Sequence, residues 1–265
     1  MGKIIAVTNQ KGGVGKTTTS VNLAASLVAT HRKVLLVDID PQGNATMGSG
    51  VNKHELTVSS YDVLMGHAKM EDAIVATGEA GYDLLPANAD LTAAEVELLS
   101  VTQRERRLRD AVVDVVGRYD YILIDCPPSL NMLTLNALVA SQAVMIPMQC
   151  EYYALEGLTA LVKTIEDVRS SLNPFLQIEG LLRTMYDPRN RLAGDVTAQL
   201  NKHFGDKLFR TVIPRNVRLA EAPSHGLPVL MYDKASRGAQ AYLALAGEML
   251  RRDSGSSGQN MAANA

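Results

Sequence analysis

Lys11-Gly12-Gly13-Val14-Gly15-Lys16-Thr17-Thr18 follows the apolar run 4–7 (IIAV) and precedes a segment, from about Thr19, in which apolar residues return at helical spacing. The order predicts strand, phosphate loop, helix. Glycines let the backbone curl so that successive N–H groups face an anion, and the following helix adds the positive end of its dipole. A nucleotide phosphate is the expected ligand. In the common spacing G-x-x-x-x-G-K-[ST], Lys16 reaches the β- and γ-phosphates and the Thr17 hydroxyl sits on Mg²⁺. Here the position of the first glycine of that pattern is Gln10, and an extra lysine, Lys11, stands beside an extra glycine, Gly12.

Outward from the loop, Val21, Leu23, Ala24, Leu27 and Val28 continue the helix, and residues 33–38 (KVLLVD) form a short apolar strand ending in carboxylate. This is a βαβ unit. Further strands are expected at 82–86, 119–125, 142–148, 175–184 and 207–213, with helices at 91–99, 103–116, 154–171, 192–204 and 236–252. Continuous apolar strands alternating with helices imply a single α/β domain, a mostly parallel twisted sheet with helices on both faces, in which ligands bind at the carboxyl ends of the strands. Asp38, Asp40 and Asp125 all fall at such ends. Pro41 and Gly43 stop the strand before Asp40 and leave it on a loop, where it is either a site residue or a turn residue. In 119–125 (YDYILID), followed by Cys126-Pro127-Pro128, Asp125 lies where Mg²⁺ needs an oxygen partner, directly or through water.

With 265 residues and 46% hydrophobic content, one sizeable core is expected. The net charge of −2 excludes a constitutively basic nucleic-acid binder, so any DNA contact has to come from a local patch. Residues 183–218 supply one: eight basic side chains against three acidic ones. The two cysteines, Cys126 and Cys150, fit no C-x-x-C spacing and suit a reduced, cytoplasmic compartment. Between Asp125 and Glu151 no residue is charged, but Pro127, Pro128 and Pro147 interrupt the stretch, so no membrane span is expected. Residues 1–252 are expected to form one ATPase domain, and the Ser/Gly/Asn-rich 253–265 a disordered tail.

The set K-G-G-V-G-K-T, V-D-I-D-P-Q-G-N, I-L-I-D-C-P-P, Q-C-E-Y-Y-A-L-E-G and V-I-P-R-N resembles the ParA/MinD family of deviant Walker A ATPases, and within it the chromosomal ParA (Soj) group. The resemblance implies an ATPase that binds ATP and Mg²⁺ through Lys11, Gly12, Gly13, Val14, Gly15, Lys16, Thr17 and Thr18. It further implies an ATP-dependent homodimer in which Lys11 crosses to the partner's phosphates. Asp40 then positions the attacking water, Asp125 belongs to the metal, Glu151 lies along the dimer seam, and Pro214 and Asn216 hold the adenine. Non-specific double-stranded DNA is the implied partner, with Arg189 and Arg218 as contacts, and a ParB-like centromere-binding protein the implied regulator. The chief rival is a MinD-like membrane-positioning ATPase, which needs a basic amphipathic C-terminal helix. Residues 239–250 (AQAYLALAGEML) contain no lysine or arginine, and no membrane partner is expected.

Overall fold

In the computed structural model, which describes residues 2–152 and 154–262 with side chains as far as 254, the apolar runs become the centre of one sheet. In chain order the elements are β1 (Lys3–Val7), α1 (Lys16–Val28), β2 (Val34–Asp38), α2 (Asn44–Gly48), α3 (Ser60–Met65), α4 (Met70–Ala73), β3 (Val75–Ala76), β4 (Asp83–Leu85), α5 (Leu91–Glu97), α6 (Arg107–Val112), β5 (Tyr121–Asp125), α7 (Met132–Ala140), β6 (Ala143–Gln149), α8 (Ala154–Ser171), β7 (Gln177–Tyr186), α9 (Arg191–Phe204), β8 (Leu208–Pro214), α10 (Val217–Glu221), α11 (Val229–Tyr232) and α12 (Arg237–Ala262). Strand order is β3-β4-β2-β5-β1-β6-β7-β8. Every pairing is parallel except the two-residue β3 against β4, an element too short to leave a period in the sequence.

The sheet separates two apolar layers. Ile5, Val7, Leu36 and Leu123 point to the face covered by α1 and α12, where Leu23, Leu27, Tyr242, Leu245 and Met249 meet them. Ala6, Leu35, Val37, Ile122 and Ile124 point to the other face, against Leu91, Leu108, Leu133, Leu158 and Leu161. Burial on both faces is why β2 and β5 read as unbroken apolar runs rather than as alternations. Each such leucine or isoleucine contributes roughly 1.5–3 kcal/mol by leaving water.

Register brings the functional ends level. Val7 and Asp38 both pair with Asp125, so the loops after β1, β2 and β5 leave the sheet side by side. That is the crevice at the carboxyl edge where an open α/β sheet takes its ligand.

Two expected boundaries differ. The helix expected over 103–116 is broken into 3₁₀ turns at Arg104–Arg106 and Val116–Arg118 around the short α6, because Gln103 takes φ +53° and Arg107 is drawn off to the Leu64 carbonyl (2.8 Å). The last helix, expected to end at Arg252, continues to Ala262, and Asp253 is fixed by Lys3 Nζ (2.6 Å) and the Tyr121 hydroxyl (2.6 Å). The folded body therefore extends past Arg252; residues 263–265 of the expected tail lie outside the described residues.

Candidate functional site at the carboxyl edge of the sheet

Gly15 ends the phosphate loop in a left-handed conformation, φ +88°, and is the N-cap of α1 with no side-chain cap. The first N–H groups of α1 are thus left for an anion, which is the device that binds phosphate at helix starts. Lys16 is 6% exposed, and its Nζ donates to the Lys11 carbonyl at 3.2 Å. Burial lowers its pKa, with Asp125 pulling the other way. A buried ammonium beside a cradle of N–H groups fits a nucleotide's phosphates.

Thr17 Oγ1 and Ser20 Oγ each donate to Asp125, to Oδ2 and Oδ1 respectively, both at 2.8 Å. Asp125 is fully buried. Across the strand pair, Asp38 is buried too, accepting from the Asp40 N–H (3.1 Å) and from the Thr46 N–H (2.8 Å) and hydroxyl (2.7 Å). Burial pushes both carboxyls up, Asp38 to about 6 and Asp125 to about 8, and the Asp38 charge adds to the shift of Asp125. Among the described residues no group of three or more His, Cys, Asp and Glu could hold a metal. One hydroxyl, one carboxylate and a set of phosphate oxygens suit Mg²⁺, which keeps several waters and takes few protein ligands. Thr17 and Asp125 fit that role.

Asp40 is 7% exposed in a turn closed by Gly43 N–H to the Asp40 carbonyl (2.8 Å) and Gln42 N–H to Asp40 Oδ1 (2.9 Å). Gly43 has φ +58°, and a Cβ there would meet the Ala87 carbonyl oxygen at 2.7 Å, so the turn is built for glycine. Thr46 Oγ1 also accepts from Ala87 N–H (2.8 Å), tying the Asp40 turn through Asp38 and Thr46 to the loop after β4. One Asp40 oxygen is thereby committed to the turn and the other is available to a water.

Lys11 lies away from its own cradle. Its side chain is half-exposed, and Nζ stands 2.5 Å from Glu151 Oε2, itself half-exposed. A Cβ on Gly12 would touch only Pro128 Cβ, at 3.9 Å, so this chain does not itself demand a glycine there. Pro214 pairs with Tyr186 at the edge of the same crevice, and Asn216 Oδ1 is buried with no hydrogen-bond partner. Arg189 lies on the loop between β7 and α9 and Arg218 in the first turn of α10, each held by acid: Arg189 by Asp187 (2.7 Å), Arg218 by Glu221 (2.8 Å) and Asp233 (3.3 Å). The Arg189 guanidinium holds the Asp187 carboxyl down at about 2.

Ser20, Thr46 and Thr184 have no place in the sequence reading, and Asp38 appears there only at a strand end, without a role. Ser20 stands four residues after Lys16 on the inward face of α1, a spacing that could have found it. Thr184, whose hydroxyl donates to the Val14 carbonyl (2.7 Å), is brought to the loop from 170 residues away and left no local signal.

A phosphate cradle at a helix start, a hydroxyl–carboxylate pair for Mg²⁺ and an acidic turn beside them, on a parallel sheet, define a P-loop nucleotide hydrolase. Comparison with known proteins carries this further. The AAA domain family model matches residues 2–178. The chain is 56% identical over 249 residues to the sporulation initiation inhibitor protein Soj of Bacillus subtilis, covering 94% of this chain and 98% of that one. It is 53% identical over 253 residues to the chromosome partitioning protein ParA of Caulobacter vibrioides, covering 95% of each. A solved structure from Mycobacterium smegmatis, described as cobyrinic acid a,c-diamide synthase with bound ADP and magnesium, superposes with TM-score 0.83 at 40% identity, covering 95% of each chain. The chain belongs to the ParA/MinD family of deviant Walker A ATPases, with ATP and Mg²⁺ as its cofactors.

Proposed function

We propose that this chain is a chromosome-partitioning ATPase that dimerises on ATP, holds double-stranded DNA without sequence preference and is switched off by a ParB-like partner, working in the cytoplasm on the nucleoid. The observation that carries the reading is the division of labour between the two loop lysines. Lys16 is buried under its own cradle, whereas Lys11 is half-exposed at the open edge and, among the described residues, paired to Glu151. A second lysine so placed suits the phosphates of another subunit. Two like loops facing each other give a two-fold interface, and Gly12 leaves the space for it.

Within the site, Lys16 and the N–H groups of α1 neutralise phosphate charge, and Lys11 of a facing copy adds to it as the γ-phosphoryl group departs. Thr17 and Asp125 would hold Mg²⁺, which would supply charge neutralisation to the nucleotide. The free oxygen of Asp40 orients water in line with the departing group. Pro214 packs on the adenine, and Asn216, with its unpartnered Oδ1, receives the adenine amino group.

Dimerisation doubles the basic segment 183–218, and linked weak phosphate contacts multiply through effective concentration. DNA must compete with Asp187, Glu221 and Asp233 for Arg189 and Arg218, which lowers the net gain from each of these contacts. The rival membrane reading meets α12, whose apolar residues Ala239, Tyr242, Leu245, Ala246 and Met249 are spent on the core; among the described residues no helix is long and apolar enough to cross a membrane.

Co-sedimentation with DNA in ATP, ADP and no nucleotide tests the reading. Retention is expected with ATP alone. Arg189→Glu and Arg218→Glu should each keep ATP binding, weaken DNA affinity alike across sequences and lower the salt slope by about 1 or more. Retention without nucleotide, unchanged in both variants, would place DNA binding elsewhere or nowhere.

A further inference from the structure

Met185 is one of three non-glycine residues with positive φ among those described, at φ +48°, and it stands inside β7, where left-handed backbone is least expected. An L residue persists there only when its surroundings over-determine it. The β7–β8 register shifts across the same point, between Arg183 and Tyr186. Two contacts fix the kink. On one side Thr184, 3% exposed, donates its hydroxyl to the Val14 carbonyl at 2.7 Å, and its methyl is 3.7 Å from where a Cβ of Gly15 would lie. On the other side Met185 Sδ accepts from the Gln149 side chain, two residues before Glu151.

Beyond the kink the chain is locked. Asp187 accepts from Arg189 through its N–H (3.0 Å), Nε (2.9 Å) and Nη2 (2.7 Å); Asn190 N–H donates to the Asp187 carbonyl (3.1 Å); and the Asn190 side chain caps α9 through Leu192 N–H (3.0 Å). Residues 187–192 are thereby tied into one hydrogen-bonded turn at the start of α9.

We propose that Thr184 and Met185 are a relay from the phosphate loop to the Arg189 block: filling the loop changes the Thr184–Val14 bond, and Met185, held in a strained well, converts that change into a displacement of residues 187–192. The Val14 carbonyl and the Gly15 N–H belong to one rigid peptide plane. Turning that N–H onto a phosphate rotates the carbonyl on the opposite edge, where Thr184 grips it. Met185 is the element with two backbone wells, left-handed and extended, whose balance this bond biases. The use of the relay, gating DNA by nucleotide as well as by dimerisation, rests on the DNA reading above; the relay itself does not. Thr184 is a positioning residue, acting through the loop.

Hydrogen exchange on the full chain, with and without saturating Mg·ADP and with no DNA present, separates the two. In wild type, ADP should slow exchange over residues 8–18 and change it over 185–192 by about threefold or more. Thr184→Ser should keep the distal change, and Thr184→Val should lose it while residues 8–18 remain protected. Met185→Gly, for which φ +48° carries no strain, should uncouple the segments, with 185–192 exchanging alike in both states. The same distal response in Thr184→Val as in wild type, or none in wild type despite protection of 8–18, would overturn the relay. Should Thr184→Val fail to bind ADP, Met185→Gly decides: a wild-type response there overturns it. Failure of the DNA reading would show instead in the co-sedimentation of Arg189→Glu, with the exchange response intact.

Discussion

The two edges of this sheet carry similar charged groups with opposite shifts. At the amino edge, burial alone would lower Lys3, but Glu179 (2.7 Å) and Asp253 (2.6 Å) more than reverse it, and its pKa is raised. Burial would raise Glu248, but the Arg210 and Thr211 N–H groups, the Thr211 hydroxyl and Arg252 hold it down. At the carboxyl edge the sign flips: Lys16 is lowered, and Asp38 and Asp125 are raised. Charges that have their counter-charges inside the chain belong to the scaffold. Charges buried without enough of them are waiting for something the chain does not contain, which is how perturbed groups mark a site.

The contrast breaks most sharply at Lys16. We expect Lys16→Ala to weaken ATP binding by about 10³-fold or more, since a desolvated charge-assisted contact to phosphate is lost; titration with a fluorescent ATP analogue reads it, and near-native affinity would remove Lys16 from the site. Asp40→Ala comes next. It should bind ATP normally and lose on the order of 10²-fold or more in turnover, as for other groups that position a reacting atom. Phosphate release at wild-type rates would leave Asp40 as a turn residue.

At the amino edge the matching substitution touches stability and not chemistry. Glu248→Ala strands two N–H groups of edge strand β8 and the Arg252 guanidinium, and should cost about 2–4 kcal/mol by urea unfolding with ATP affinity unchanged. The smallest effects are in pH, and their signs differ between the edges. Glu248, depressed in the fold, gives stability above its unfolded value near 4.5 that is lost as pH falls through and below it. Asp125, raised in the fold, leaves the native state holding the extra proton, so metal-free protein should lose stability as pH rises from about 4 towards about 8. Unfolding in chelator at pH 5 and pH 8 should show that alkaline loss, of order 1 kcal/mol or more, and Asp125→Asn should reduce it to the smaller part that Asp38, raised to about 6, loses at lower pH. A loss between pH 6 and pH 8 undiminished in that variant would assign it to another group.

How much of this was readable in advance follows from how local each signal is. The phosphate loop, the β2 and β5 carboxylates and the parallel sheet rest on contiguous runs, and residues 4–7, 33–38 and 119–125 each contain a strand that ends within a residue or two of where it was placed. Asp38 was visible only as the end of an apolar run; its task, holding the Asp40 turn through Thr46, needs the pairing Asp38↔Asp125 that no single stretch encodes. From sequence Thr184 is the end of an ordinary strand and Met185 only the residue after it, because a left-handed methionine imposed by tertiary contacts leaves no mark on composition. The acidic partners of Arg189 and Arg218 were partly legible, Asp187 and Glu221 being two and three residues away. Charge counting alone made the patch look freer than it is.

The account as a whole holds that the carboxyl edge is completed by Mg·ATP and a second copy of this chain. Light scattering on wild type and Gly12→Val, with Mg·ATP, Mg·ADP and chelator, tests that claim most directly. Wild type should double in mass with Mg·ATP alone, and Gly12→Val, whose Cβ meets nothing closer than Pro128 Cβ at 3.9 Å within the chain, should bind ATP and stay a monomer. A wild-type mass that ignores nucleotide, or a Gly12→Val dimer formed as readily as wild type, would contradict it.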